Sequence, residues 1–168
     1  MSFEVAASLP VGIQTMTDAL FVTGKFESGQ TILFQGASSA MGIIGMQIAK
    51  LFGAKTIFGS SRSDQKGEKL MEFGCNQFIN NQSPGWTKES LKKTENVGVD
   101  FVVDFLSGNY VNDTMLITKP GGTIVNVGRM AGNSGNFDFD LHNKRRIKYL
   151  GASFRMRSIQ DTVEILKT

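Results

Sequence analysis

Six short apolar runs punctuate the chain, at residues 31–36 (TILFQG), 55–60 (KTIFGS), 77–80 (QFIN), 100–106 (DFVVDFL), 122–128 (GTIVNVG) and 149–154 (YLGASF). Their Val, Ile and Phe positions run on without alternating polar ones, which is the pattern of strands covered on both faces in a parallel sheet. Helical signals lie between them. Ser38 and Ser39 offer N-cap oxygens, Met41, Ile44, Ile48 and Leu51 recur at helical spacing, and Gly53 closes the segment. Ser63 or Asp64 can cap a second helix carrying Leu70, Met71 and Phe73, ended by Gly74. Residues 109–118 predict another, leading into Lys119-Pro120-Gly121-Gly122, a turn that cannot continue it. Residues 4–26 read as helical through Ala6, Ala7, Leu9, Met16, Ala19, Leu20, Val22 and Phe26. Ser158 caps a last helix through Val163, Ile165 and Leu166 that stops at Thr168. Strands alternating with helices predict an α/β fold of Rossmann type. Right-handed crossovers then give a doubly wound parallel sheet of about six strands in the order 3-2-1-4-5-6.

Composition narrows the classes. A chain of 168 residues suits one globular domain, and 40% hydrophobic with 20% charged residues excludes collagen, coiled coil and wholesale disorder. The single cysteine, Cys75, excludes an intrachain disulfide framework and reads as a core filler; one histidine, His142, leaves too few soft ligands for a zinc cluster. The net charge of +3 is mild. The densest basic run, Lys144-Arg145-Arg146-Ile147-Lys148, comes with no aromatic RNA motif and no helix-turn-helix pattern, so no nucleic-acid partner is expected. No basic, apolar, small-residue leader opens the chain, and no uncharged apolar run approaches the roughly 20 residues of a membrane span. The expectation is a cytoplasmic protein without a membrane partner.

The chemistry concentrates after the first run. TILFQ opens onto Gly36-Ala37-Ser38-Ser39-Ala40-Met41-Gly42, and a helix follows at once. Small residues let backbone approach a pyrophosphate, whose oxygens meet the unpaired N–H groups of the helix start. Gly42 and Gly45 fall on the face that presses against the sheet. The alternative is a tight strand-to-helix connection with no ligand. The second run ends Phe58-Gly59-Ser60-Ser61-Arg62-Ser63-Asp64-Gln65-Lys66. NAD sites carry an acid here for the ribose hydroxyls. Small and basic groups stand in its place, and Arg62, joined by Lys66 one turn on, suits the 2′-phosphate of NADP(H).

The string LFQGASSAMGIIGMQIAKLFGAKTIFGSSRS resembles the nucleotide-binding half of the medium-chain dehydrogenase/reductase superfamily, in particular its zinc-free quinone oxidoreductase (zeta-crystallin-like) branch. The resemblance covers nearly the whole chain. AASLP with Thr15 and Ala19-Leu20 matches that family's opening helix, and Gly36-x-x-Ser39-x-x-Gly42 its glycine turn, with Ser39 where the family more often has Gly. VDFVVDFLSG, PGGTIVNVGR and YLGASFRMRS follow in the family's order. The resemblance implies backbone contacts from Ser39, Ala40 and Met41 to the pyrophosphate, beside Gly36, Ser38 and Gly42. It implies Ser61, Arg62 and Lys66 around the 2′-phosphate and Asn81 near the adenine. Phe105, Leu106 and Ser107 would flank the ribose, and Val127, Gly128 and Arg129 would reach the nicotinamide, with Thr15 as a further contact at that end. Asp104 reads equally as structural or functional. Val11 stands where zinc-dependent members place a zinc-binding Cys, so no zinc is expected.

A full member also has a GroES-like substrate domain before this one and a tail returning to it. Residues 1–168 therefore read as a single dinucleotide-binding domain, a fragment lacking both. The expected function is NADP(H) binding in an oxidoreductase that passes hydride from NADPH to a quinone or enone, with no catalytic residue nominated in this half. The small-molecule substrate belongs to the full-length parent. A non-catalytic nucleotide-binding or structural Rossmann module is the main alternative. A short-chain dehydrogenase needs Tyr-x-x-x-Lys, but Tyr110 is followed by Thr114 and Tyr149 by Ser153; a methyltransferase prefers an acid at Ser61-Arg62. The sixth run, with ends Tyr149 and Phe154, is an exposed apolar edge and predicts a homodimer.

Overall fold

Every neighbouring strand pair is parallel, and the six strands lie in the order β3-β2-β1-β4-β5-β6 in the computed structural model, which describes residues 1–167. The strands are β1 (Thr31–Gln35), β2 (Thr56–Ser61), β3 (Gln77–Asn80), β4 (Val99–Asp104), β5 (Thr118–Asn126) and β6 (Lys148–Gly151). The helices are α1 (Phe3–Ser8), α2 (Pro10–Thr17), α3 (Ala40–Leu51), α4 (Asp64–Glu72), α5 (Trp86–Lys93), α6 (Val111–Ile117), α7 (Phe139–Arg145) and α8 (Ile159–Lys167). The absence of alternation has its cause in two cores. Phe34, Ile57, Phe101, Val103 and Val125 pack with Met16, Met46 and Ala49 on one face, while Leu33, Phe58, Val102 and Ile124 pack with Met115 and Ile117 on the other.

Several elements depart from the predicted pattern. Helix α3 buries Gly42, Gly45, Met46 and Ala49, whereas Leu51 is 82% exposed. A Cβ on Gly45 would come within 2.5 Å of the Phe34 ring, so glycine is what lets α3 settle on β1. Strand β5 starts at Thr118, before the predicted turn. Thr118 pairs with Val99, the ladder resumes at Thr123 against Phe101, and Lys119-Pro120-Gly121-Gly122 bulge out between them. Strand β6 stops at Gly151, and a 3-10 turn, Phe154–Met156, follows. Helices α5 and α7 fall outside the predicted pattern. Only Trp86 and Ser90 of α5 are buried, and no residue of α7 is.

The N-terminal helical stretch breaks into α1, α2 and a π-helical turn, Asp18–Thr23. At 21 residues it is long and apolar enough to cross a membrane by length and composition. Its second half is nevertheless committed to the core through Met16, Ala19 and Leu20. The predicted Ser158 cap is present and reciprocal: Ser158 Oγ accepts from the Asp161 amide at 3.0 Å, and Asp161 Oδ2 accepts from the Ser158 amide at 3.3 Å. The predicted stop at Thr168 and the Leu166 side chain lie outside the described residues.

Candidate nucleotide-binding site

The strand order reverses between β1 and β4, and in open α/β sheets the crevice at the carboxyl ends there receives ligands. The chain leaves β1 through Gly36 at φ +88°, a conformation glycine adopts without cost. Strand β2 holds this turn. The Gly36 amide donates to Ser60 Oγ at 2.9 Å, the Ala37 amide to the Ser60 carbonyl at 2.8 Å, and Ser60 Oγ donates to Gln35 Oε1 at 2.6 Å. Ser39 then caps α3, its Oγ accepting from the Gly42 amide at 3.1 Å. A Cβ at Gly42 would lie 2.4 Å from the Ala37 carbonyl oxygen. The Ser39 amide reaches Gly36 O at 3.3 Å, and the amides of Ala40 and Met41 have no partner among the described residues. Two donors at a helix start thus point outward where an anion would be stabilised.

A cavity of about 470 Å³ opens above this turn. Gly36, Ser38 and Ser39 form its floor, Ser61, Arg62 and Lys66 one rim, and Asn81 and Leu106 reach it from the neighbouring strand ends. Arg62 and Lys66 are exposed and carry no ion pair among the described residues. The adjacent acid, Asp64, accepts instead from Asn80 Nδ2 at 2.9 Å and is not among the cavity residues. Asn81 is 4% exposed, and its Oδ1 has no partner among the described residues. A buried acceptor left open is costly unless something fills it.

The remaining predicted residues divide. Ser107 and Arg129 line a second cavity of about 260 Å³, with Asn126 and Tyr149. Phe105 is buried in the core, Val127 packs against it, and Gly128 lies against the Phe105 backbone. Ala40, Met41 and Gly42 present backbone only. Thr15, half-buried on α2, lines neither cavity.

Sequence reasoning missed Ser63, Gln82, Tyr110, Met130 and Ala131, all at the cavity. Ser63 adjoins Arg62, and Met130 and Ala131 adjoin Arg129, so their neighbours pointed to them; Gln82 and Tyr110 come from other connections with no local pattern. Leu106 and Met130 stand over the glycine turn, each placing a carbon 3.0 Å from where a Gly36 Cβ would be.

A buried polar row underlies the site. Gln35 is in register with Asp104 and Asp104 with Asn126, while Ser60 follows Gly59, the partner of Phe34. Asp104 Oδ1 accepts from the amides of Leu106 at 2.8 Å and Ser107 at 3.0 Å; its Oδ2 has no partner among the described residues. Burial raises the Asp104 pKa, opposed by those two amides. Ser107 adopts φ +56°, donates from Oγ to the Gly128 carbonyl at 2.8 Å and accepts from Asn126 Nδ2. The turns after β4 and β5 are thereby fastened to each other.

A family model described as zinc-binding dehydrogenase matches residues 40–168. The chain is 30% identical over 124 residues to a phenolphthiocerol/phthiocerol polyketide synthase of Mycobacterium tuberculosis, covering 74% of this chain and 6% of that one. Among solved structures it is similar to an NAD-dependent alcohol dehydrogenase (TM-score 0.86, 29% identity, 99% of this chain and 48% of that one). It is also similar to the CurK enoyl reductase (TM-score 0.85, 26% identity, 99% of this chain and 50% of that one). The chain thus spans about half the length of these solved relatives and a small part of the synthase. Among the described residues no three His, Cys, Asp or Glu side chains come together, and Val11 is exposed.

Proposed function

Because the chain belongs to the zinc-binding dehydrogenase family, as the nucleotide-binding domain of a medium-chain dehydrogenase/reductase, we propose that it binds NADP(H) in an oxidoreductase that passes hydride from NADPH to a quinone or enone. The observation that carries the cofactor choice is the rim of Ser61, Arg62 and Lys66 in a cavity whose lining includes no acid, with Asp64 outside it and hydrogen-bonded by Asn80. A 2′-phosphate brings nearly two negative charges and three acceptors, which a guanidinium fork and an ammonium match, whereas a bare ribose needs an acid that this rim does not offer.

The bound dinucleotide would supply the hydride chemistry; the chain's own residues bind and orient it. Ala40 and Met41 amides receive the pyrophosphate, Arg62 and Lys66 the 2′-phosphate. Leu106 and Met130 keep water off the turn, and the Asp104–Ser107–Gly128 fastening holds the wall towards the nicotinamide. Substrate selection belongs to the whole protein, as does residence in a larger chain with a substrate domain. In turnover with a quinone acceptor, Arg62→Ala should raise the KM for NADPH about tenfold and leave kcat within about twofold, the signature of lost uniform binding. An unchanged KM would contradict the assignment. Nucleotide binding without turnover is the second reading, because the cavity residues serve the dinucleotide and none of them is assigned a chemical step. NADPH oxidation by the whole protein with a quinone or enone separates the two.

The β6 edge supports a homodimer. At the opposite edge, Lys93 Nζ donates to the Phe78 carbonyl of β3 at 2.8 Å, blunting that strand. Strand β6 has Tyr149 and Leu150 half-buried between exposed Lys148 and Gly151.

A further inference from the structure

We infer that Ser107 is a strained positioning residue whose hydroxyl sets the Gly128–Arg129 peptide, so that the Arg129 amide is offered to the nicotinamide end of the cofactor at a cost in stability. The inference rests on the dinucleotide-binding reading. Five non-glycine residues have positive φ among the described residues, and Ser107 alone of them is buried. Its backbone, at φ +56° and ψ −144°, lies outside the left-handed helical well and beside a region that essentially only glycine occupies. A glycine would make this bend without strain, so the bend does not account for the serine.

The hydroxyl accounts for it. Ser107 Oγ donates to the Gly128 carbonyl at 2.8 Å and accepts from Asn126 Nδ2, which also donates to that carbonyl at 3.1 Å. Both side chains line the second cavity, so the carbonyl is drawn to that side. No peptide bond among the described residues is cis, and the N–H of a trans peptide points opposite to its carbonyl. The Arg129 amide therefore faces away from Ser107 and Asn126. Its neighbours are all engaged. The Val127 and Gly128 amides donate to the Asp104 carbonyl at 2.9 and 3.1 Å, Met130 to the Phe105 carbonyl at 3.0 Å and Ala131 to the Leu106 carbonyl at 2.9 Å. Arg129 alone in this run has an amide without an acceptor among the described residues. Gly128 lets the peptide turn unless its carbonyl is held. A Cβ on Gly128 would lie 2.8 Å from the Phe105 carbonyl oxygen, which leaves no room for a stiffer residue. Ser107 thus supplies, from outside the cleft, the direction that Gly128 cannot supply itself.

The test is calorimetric titration of the protein and its Ser107→Gly and Ser107→Ala variants, with thermal melts of the same three proteins free of ligand. The probes are NADPH and 2′-phospho-ADP-ribose, which lacks the nicotinamide and keeps the rest. Ser107→Gly removes hydroxyl and strain together, while Asn126 Nδ2 still holds the Gly128 carbonyl. Its melting temperature should equal or exceed that of the unmodified protein. Ser107→Ala keeps the strained backbone without the hydroxyl and should melt lower than both. Each variant should bind NADPH about fivefold more weakly and 2′-phospho-ADP-ribose within about twofold of the unmodified protein. A merely structural role predicts otherwise, since the stable Ser107→Gly would then keep its affinity. NADPH binding by Ser107→Gly within about twofold of the unmodified protein would overturn the positioning role. An equal loss of both probes would mark a general disturbance and overturn it as well. Ser107→Gly melting below Ser107→Ala would overturn the strain. Failure of the dinucleotide reading appears separately, as an unmodified protein that binds neither probe, and removes the inference with it.

Discussion

Asp104 combines burial, two amide donors on one oxygen and, among the described residues, no cation against the other. Its folded pKa is raised, so the stability it contributes is fully present below its unfolded value of about 3.9 and is lost as pH rises through the folded one. Asp104→Asn keeps an oxygen for both amides and cannot ionise. Its stability relative to the unmodified protein should therefore improve between pH 4 and pH 8 in urea unfolding. A difference that is the same at both pH values would contradict the burial account. Ser60 has the opposite character: its hydroxyl satisfies the Gly36 amide and Gln35 Oε1 together. Ser60→Ala strands both and should cost about 2–3 kcal/mol, with loss of nucleotide affinity through the loosened turn. Thermal unfolding and a dinucleotide titration check both halves. The glycine turn, Arg62 and Lys66 were legible in the sequence because their meaning is local to one strand-turn-helix unit. The Ser60–Gln35–Asp104–Asn126 row was not, because four strands distant in sequence must first be set in register.

Among the elements, the π-helical turn and the segment before α8 depend on each other. Asp18 is buried and takes Arg157 as a fork, Nη2 to Oδ1 at 2.5 Å and Nε to Oδ2 at 3.1 Å, with Thr23 Oγ1 donating to Oδ1 at 2.9 Å. The hydrogen bonds to Asp18 lead the raising of the Arg157 pKa, keeping the guanidinium charged. Removing one partner of a buried pair leaves a charge without compensation, typically at 3–5 kcal/mol. Arg157 is partly exposed, so Arg157→Ala should cost about 3 kcal/mol, at the low end of that range. Asp18→Ala should cost less, since Arg157 can turn to solvent. Equal and small losses in denaturant melts would contradict the clamp. Periodicity found α3, α4, α6 and α8 but could not see the π turn, whose spacing is not 3.6. It also passed over α5 and α7, which bury too little to carry a stripe. Leu51 misled for the converse reason, matching the period on the solvent side.

At the scale of the molecule, strand order was readable because alternating runs and right-handed crossovers leave few arrangements, and the sheet has the order they dictate. The composition of the cleft was only half readable. One wall is the glycine turn and its rim; the other is built by Gln82, Tyr110 and Met130, brought in by loops. A dimer through β6 should appear as twice the monomer mass in light scattering at about 100 µM. Gly151→Pro, which removes an outward-facing donor beside the Ala152 amide that bonds the Asn126 carbonyl of β5, should return the monomer. A monomer without the substitution would contradict edge pairing. The central claim is the cofactor, and calorimetry with NADPH and NADH on the unmodified protein tests it most directly. A 2′-phosphate held by Arg62 and Lys66 predicts NADPH binding at least about tenfold tighter, a gap of about 1.4 kcal/mol that narrows with salt. Equal affinities, or a preference for NADH, would contradict it.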